Sequence, residues 1–141
     1  MKIKFKYVYI ITLFSSLLLF GQTSKIKVRI INLQGLKGQI SIGLFNNLES
    51  FPKKDEGRVG VYLEIKDSTV EHIFTNLENG TYAIAVYHDE NCNGEFDRSF
   101  FGWPVEDYVF SNFAEGNFGP PSFEDASFEL VDSLEIVLEF K

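Results

Sequence analysis

From residue 25 onward the chain alternates. In "KIKVRIIN" the apolar Ile26, Val28 and Ile30 share one parity and Lys25, Lys27 and Arg29 the other, the period of two of a strand with one buried face. "GQISIGLF" repeats the pattern with Ile40, Ile42 and Leu44, and Gly35 and Gly38 between the two runs supply a turn, so the pair reads as a hairpin. "NNLESFPKKDEGRVG" loses the period and carries Pro52, Gly57 and Gly60, which predicts a long surface loop. "VYLEIKD" and "STVEHIFTNL" restore it, with Val61, Leu63 and Ile65 on one face and Val70, His72 and Phe74 on another. His72 is then an inward-facing histidine, read as a hydrogen-bonded structural residue because its local sequence offers no partner ligands.

"TYAIAVYH" is apolar on both parities, as expected of a strand central to its sheet. "DASFELVD" and "SLEIVLEF" alternate again, the second with Leu134, Ile136, Leu138 and Phe140 inward, and read as a closing hairpin around Asp132 and Ser133. About seven short strands with turn signals and no helical period predict an all-β fold. The expected architecture is an antiparallel two-sheet sandwich, immunoglobulin-like or transthyretin-like. In "LENGTYAIAV" the spacing of Leu77, Gly80, Tyr82 and Ile84 fits either a tyrosine corner or an ordinary glycine turn followed by a buried tyrosine.

Between residues 89 and 124 the strand pattern fails, apart from a short edge strand at "DYVFS". This stretch holds Phe96, Phe100, Phe101, Trp103, Tyr108, Phe110, Phe113, Phe118 and Phe123. A loop so aromatic is not a flexible linker: it either folds back as a cover over the sandwich or presents an apolar surface. The second alternative makes the aromatic loop 96–123 a binding face for a glycan or a peptide.

The N-terminal segment has a different logic. Lys2, Lys4 and Lys6 precede an apolar run from Tyr7 to Phe20, followed by small and polar residues from Gly21. This is the layout of a cleaved secretory signal peptide over residues 1–22, too short for the roughly 20 apolar residues of a spanning helix. The expected product is a single β-sandwich domain, residues 23–141, exported to the periplasm, the outer envelope or the medium, with no membrane span once the signal is removed. Loss of three lysines and no acids takes the formal charge from −7 to about −10, a balance that repels nucleic acid and favours cations, with an envelope protein, a glycan or a peptide as the partner classes left open. Cys92 is the single cysteine; among acids it reads as a turn residue, since reactive thiols need a cationic neighbourhood.

"HDENCNGEFD" is the densest polar motif. With Asp89 as the first position of a calcium loop, Asn91, Asn93, Glu95 and Asp97 fall at the third, fifth, seventh and ninth, and Gly94 permits the bend at the sixth. The twelfth position is Phe100 where a bidentate Glu is expected, and no helices flank the loop, so it is not an EF-hand. A calcium ion here would need a further acid from Glu106, Asp107, Glu124 or Asp125. The same residues also form Asx turns without a metal, and both readings are open. For nucleophilic chemistry His88 would have to meet Asp89 and Ser111 or Ser122, yet neighbours in a strand point to opposite faces. No nucleophile elbow, HExxH or cysteine pair is present, so a non-enzymatic module is expected.

The blocks "LENGTYAIAVYHDENCNGEFD", "FGWPVEDYVFSN" and "FGPPSFEDASFEL", in that order, resemble a bacterial secreted family, domain of unknown function 2141. The resemblance implies a small envelope or secreted β-sandwich and assigns no catalytic residues. It also implies that His88, Asp89, Asn91, Asn93, Gly94 and Asp97 belong to the shared pattern, with Ser111, Asn112, Gly119, Pro120, Pro121, Phe123 and Asp125. Cys92 departs from that pattern, where a small residue is usual, and this puts a family-wide thiol role in doubt.

Overall fold

The structure, a computed structural model, describes residues 23–35, 37–53 and 58–140; the expected signal peptide, residues 1–22, lies outside them. Among the described residues eight strands form two sheets. They are β1 (Ser24–Ile31), β2 (Gln39–Phe45), β3 (Arg58–Glu64), β4 (Val70–Leu77), β5 (Gly80–Asp89), β6 (Tyr108–Phe110), β7 (Phe128–Leu130) and β8 (Leu134–Glu139). A short 3-10 turn, Ser111–Phe113, and the single helical turn α1, Phe123–Ala126, follow β6. The smaller sheet runs β4-β1-β8, and the larger runs β3-β2-β5-β6 with β7 also paired to β5.

The sandwich core is where the two alternations meet. Ile26, Val28, Ile30, Val70, Phe74 and Leu138 of the small sheet pack with Ile40, Ile42, Leu44, Tyr82, Ile84 and Val86 of the large one. Burying each such aliphatic side chain contributes about 1.5–3 kcal/mol, which is why every run keeps its apolar parity inward. The outward parity of β1 is charged: Arg29 and Lys27 both reach Glu71 of β4, at 2.6 and 3.1 Å.

Two expected hairpins are not formed. β1 and β2 lie in different sheets, since β1 pairs with β4 and β8 while β2 pairs with β3 and β5. β7 pairs with β5 and not with β8. Alternation states which face of a strand is buried but not which strand lies beside it, and burial between the sheets won over the nearest neighbour. β8 joins β1 in parallel, Val28 opposite Ile136 and Ile30 opposite Leu138, the one departure from antiparallel pairing among these ladders. β3 starts at Arg58, three residues before the expected run.

Other expectations are met. β5 is central, flanked by β2 on one side and by β6 and β7 on the other. The Tyr82 hydroxyl donates to the Glu78 carbonyl at 2.8 Å, the bond back to the preceding turn that defines a tyrosine corner. His72 faces inward, half-buried and edge-on to Phe74 with ring centroids 4.6 Å apart, but among the described residues its ring makes no hydrogen bond, contrary to expectation, and burial lowers its pKa below the ordinary 6.5.

The outer face of the large sheet is covered at one end. Phe45, Ala83 and Phe110 point outward from β2, β5 and β6, and Phe51 and Ala126 close over them. Phe51 sits edge-on to Phe45, Phe110 and Phe123, at centroid distances of 5.3, 5.7 and 5.7 Å. Each such contact adds about 0.5–1.5 kcal/mol beyond area burial. α1 is set by Ser122, whose hydroxyl accepts from the Asp125 N–H, a short N-cap that drives Ala126 into this second core.

Candidate functional site

At the end of β5 the chain leaves the sheet through residues 89–97, and the loop closes on Asp89. Its side chain is fully buried. Oδ1 accepts from the Asn93 N–H at 3.1 Å; Oδ2 accepts from the Gly94 N–H and from Gln39 Nε2, both at 2.8 Å. Three donors around one carboxylate offset the cost of burying it. Around this centre Asn91 Oδ1 accepts from the Asn93 N–H and Asn93 Oδ1 from the Glu95 N–H, two successive Asx turns. The amides of Asn91 and Asn93 both donate to the Asp97 carboxylate. The Gly94 carbonyl accepts from the hydroxyls of Tyr62 and Tyr87.

Of the four acids named as completing a cation shell, Glu106 alone reaches the loop, and it does so as an acceptor of N–H groups. Its carboxylate takes the Glu90 N–H at 3.2 Å and the Asp97 N–H at 3.0 Å, stapling the two ends of the loop. Glu106 is buried, and burial, with Asp97 and Asp89 nearby, lifts its carboxyl above the ordinary carboxylate range, against the lowering effect of those two N–H bonds. Asp107 touches the strand end through its backbone, accepting from the His88 N–H. Asp125 bonds Ser122 within α1, and Glu124 accepts from Ser127 through its carbonyl. Among the described residues no group of three or more His, Cys, Asp or Glu side chains is arranged to hold a metal ion. A calcium ion at Asp89 would have to displace Gln39 and two backbone donors.

Sequence reasoning passed over Gly38 and Gln39, which position this loop. Gly38 has φ +79° and lies so close to β5 that a Cβ would stand 2.3 Å from the Asp89 carbonyl oxygen, so only glycine lets Gln39 approach. Its signal was present as "LKGQ", read only as a turn. His88 is buried with Nε2 2.7 Å from the Lys37 carbonyl and its ring stacked on Phe140. Ser111 is buried elsewhere, donating to the Ala126 carbonyl and accepting from the Ile84 N–H, and Ser122 caps α1. Cys92 is exposed in the loop with φ +57°.

Beyond Asp97 the character inverts. Ser99 N–H donates to the Trp103 carbonyl at 2.7 Å, Gly102 N–H to the Ser99 carbonyl at 2.8 Å, and Trp103 N–H to Ser99 Oγ at 3.2 Å. Arg98 and Pro104 bridge at the base. This tight tip leaves Phe100, Phe101 and Trp103 at 98, 84 and 71% exposure. The tip forms one wall of a groove of about 370 Å³ and the segment Gly116–Pro120 lines it as well. Its floor is the outer face of the large sheet next to the second core, Ala85 and Tyr87 of β5 with Tyr108 and Phe110 of β6. Phe96 packs between Tyr87 and Tyr108, at 5.5 and 5.7 Å, and the Arg98 guanidinium lies 5.1 Å from the Phe96 ring centre.

A family described as "Uncharacterized protein conserved in bacteria (DUF2141)" matches the chain over residues 28–137. The chain belongs to this family. The matched span takes in the Asp89 loop, the Trp103 tip and α1, so in this DUF2141 protein the closed loop and the groove are parts of the family domain and not additions to it. No curated protein and no solved structure matches the chain. No helix among the described residues of this DUF2141 chain is long and apolar enough to cross a membrane.

Proposed function

We propose that this DUF2141 chain is an exported, non-enzymatic binding module that holds a glycan or a peptide in its aromatic groove. The observation that carries this is the groove itself, about 370 Å³ and walled by the exposed Trp103. A pocket of this size with flat apolar walls and a few polar groups fits a small ligand or one segment of a polymer. Export rests on the signal-peptide layout of residues 1–22 and places the ligand in the periplasm, the outer envelope or the medium. The non-enzymatic reading is supported by the commitments of His88 and Ser111, each held by backbone groups at separate places. We further propose that loop 89–97 closes without calcium, supported by the three N–H donors that already meet the Asp89 carboxylate.

Trp103 is the single tryptophan, which makes the test direct. Neutral oligosaccharides, acidic oligosaccharides and proline-rich peptides are titrated while its emission is recorded. A blue shift that saturates with one of them is the expected result. Emission indifferent to every probe, together with unchanged NMR shifts for Tyr87 and Tyr108, sinks the binding role.

A further inference from the structure

We infer that the groove selects an acidic glycan, one whose sugar ring stacks on Trp103 while its carboxylate pairs with Arg98. The inference rests on the proposed binding role and names its ligand class. It starts from a mismatch of charge. The chain carries 20 acids against 13 bases, and Lys27 and Arg29 of β1 are matched to Glu71 and Glu135. Arg98 differs: its guanidinium lies over Phe96 and donates to the Gly102 carbonyl at 3.3 Å, with no carboxylate partner among the described residues.

The polar groups beside it are donors in the same condition. Trp103, Asn117 and Tyr108 line the groove, and the Trp103 indole N–H, the Asn117 amide and the Tyr108 hydroxyl have no protein acceptor among the described residues. A wall of unmatched donors around one cation calls for an oxygen-rich anion. Glu95 also lines the groove and is already engaged by another group.

The geometry favours a sugar over a peptide. The floor strand β5 is paired on both sides, with β2 and with β6, so an extended chain could add its amides only along β6, an edge strand of three residues. What it offers is ring faces. A pyranose has an apolar C–H face for an aromatic ring and hydroxyls at its rim, and a uronic acid adds the carboxylate. Arg98 pairs with that group as a fork, which a lysine cannot reproduce.

The test uses the full exported chain and three acidic probes, oligogalacturonate, oligoalginate and hyaluronan fragments, against methyl-esterified oligogalacturonate, a neutral cello-oligosaccharide and a proline-rich peptide. Calorimetry and Trp103 emission are the readouts. At least one acidic probe is expected to bind and to weaken tenfold or more on methyl esterification or in Arg98→Gln, with Arg98→Lys recovering only part. Arg98 is exposed, and the thermal midpoint of Arg98→Gln shows whether the fold is intact. Binding of the neutral sugar or the peptide with no dependence on Arg98 overturns the acidic-glycan inference and leaves the groove a binding site. Binding of no probe overturns both.

Discussion

The two halves of the segment between β5 and α1 differ in what they do with their polar and apolar groups. Residues 89–97 are polar and turn inward: the Asp89, Asn91, Asn93 and Asp97 side chains are all consumed by hydrogen bonds within the loop or to Gln39. Residues 98–105 are largely apolar and turn outward, with Phe100, Phe101, Trp103 and Val105 left in solvent. The polar half is built like a core and the apolar half like a surface. A protein that exposes its aromatics while holding the carboxylates of Asp89 and Asp97 in hydrogen bonds keeps one part rigid so that the other has a fixed place from which to act.

Breaking the polar half is therefore expected to unfold the site, and breaking the apolar half to leave the fold alone. Asp89→Ala orphans Gln39 and two backbone N–H groups, at about 1–3 kcal/mol for each buried donor left unpaired. We expect a loss on the order of 3 kcal/mol and a midpoint lower by roughly 10 °C. Trp103→Ala is expected to change stability by less than about 0.5 kcal/mol; equal losses in the two variants would erase the contrast. Gly38→Ala strikes the same centre from the strand side, through a positive φ and the contact with the Asp89 carbonyl, and should cost about 1–3 kcal/mol, read by denaturant midpoint.

Glu106→Gln comes next. The amide keeps one acceptor where two N–H groups need two, and a loss of about 1–2 kcal/mol is expected at neutral pH. Burial raises the Glu106 carboxyl, so the folded protein holds that proton more tightly than the unfolded chain. The contribution of Glu106 is full below the ordinary carboxylate range and falls as pH rises through the raised value. The variant should lose this slope, as read by thermal midpoints across that window. His72 has the opposite dependence. Its pKa is lowered by burial, so its contribution is full above pH 6.5 and is lost as pH falls from there toward the lowered value; His72→Phe should flatten that decline. The smallest expected effect is that of calcium, where a millimolar addition should leave the midpoint within about 1 °C, since a bound ligand well above its Kd would stabilise by RT ln(1 + [L]/Kd). A clear rise, abolished by Asp97→Ala, would return the loop to the metal reading.

Much of the fold was legible because burial imposes parity, and parity is written in the chain. Ile26, Val28 and Ile30, or Leu134, Ile136 and Leu138, reveal their inner face without any structure. Partners were not legible: nothing in "KIKVRIIN" says that "LEIVLE" will lie beside it more than 100 residues later. At the site, the spacing of Asp89, Asn91, Asn93 and Asp97 showed that their oxygens would converge, but calcium loops and Asx turns share that spacing. What separates the two geometries is Gln39 and the backbone donors aimed at Asp89, which arrive from another strand. Arg98 was silent for a related reason, because its lack of a carboxylate partner among the described residues is a property of the folded surface.

The parallel pairing of β1 with β8 sets an order of events. Of the eight described strands, the one that emerges ahead of the others from a ribosome is the middle strand of its sheet, and its neighbour β8 follows the other seven. Until β8 is released the small sheet has only β4 beside β1, with the other edge of β1 open and its apolar face incompletely packed. A nascent chain in that state is a target for holding factors and proteases, and loss of β8 should be more damaging than its 6 residues suggest.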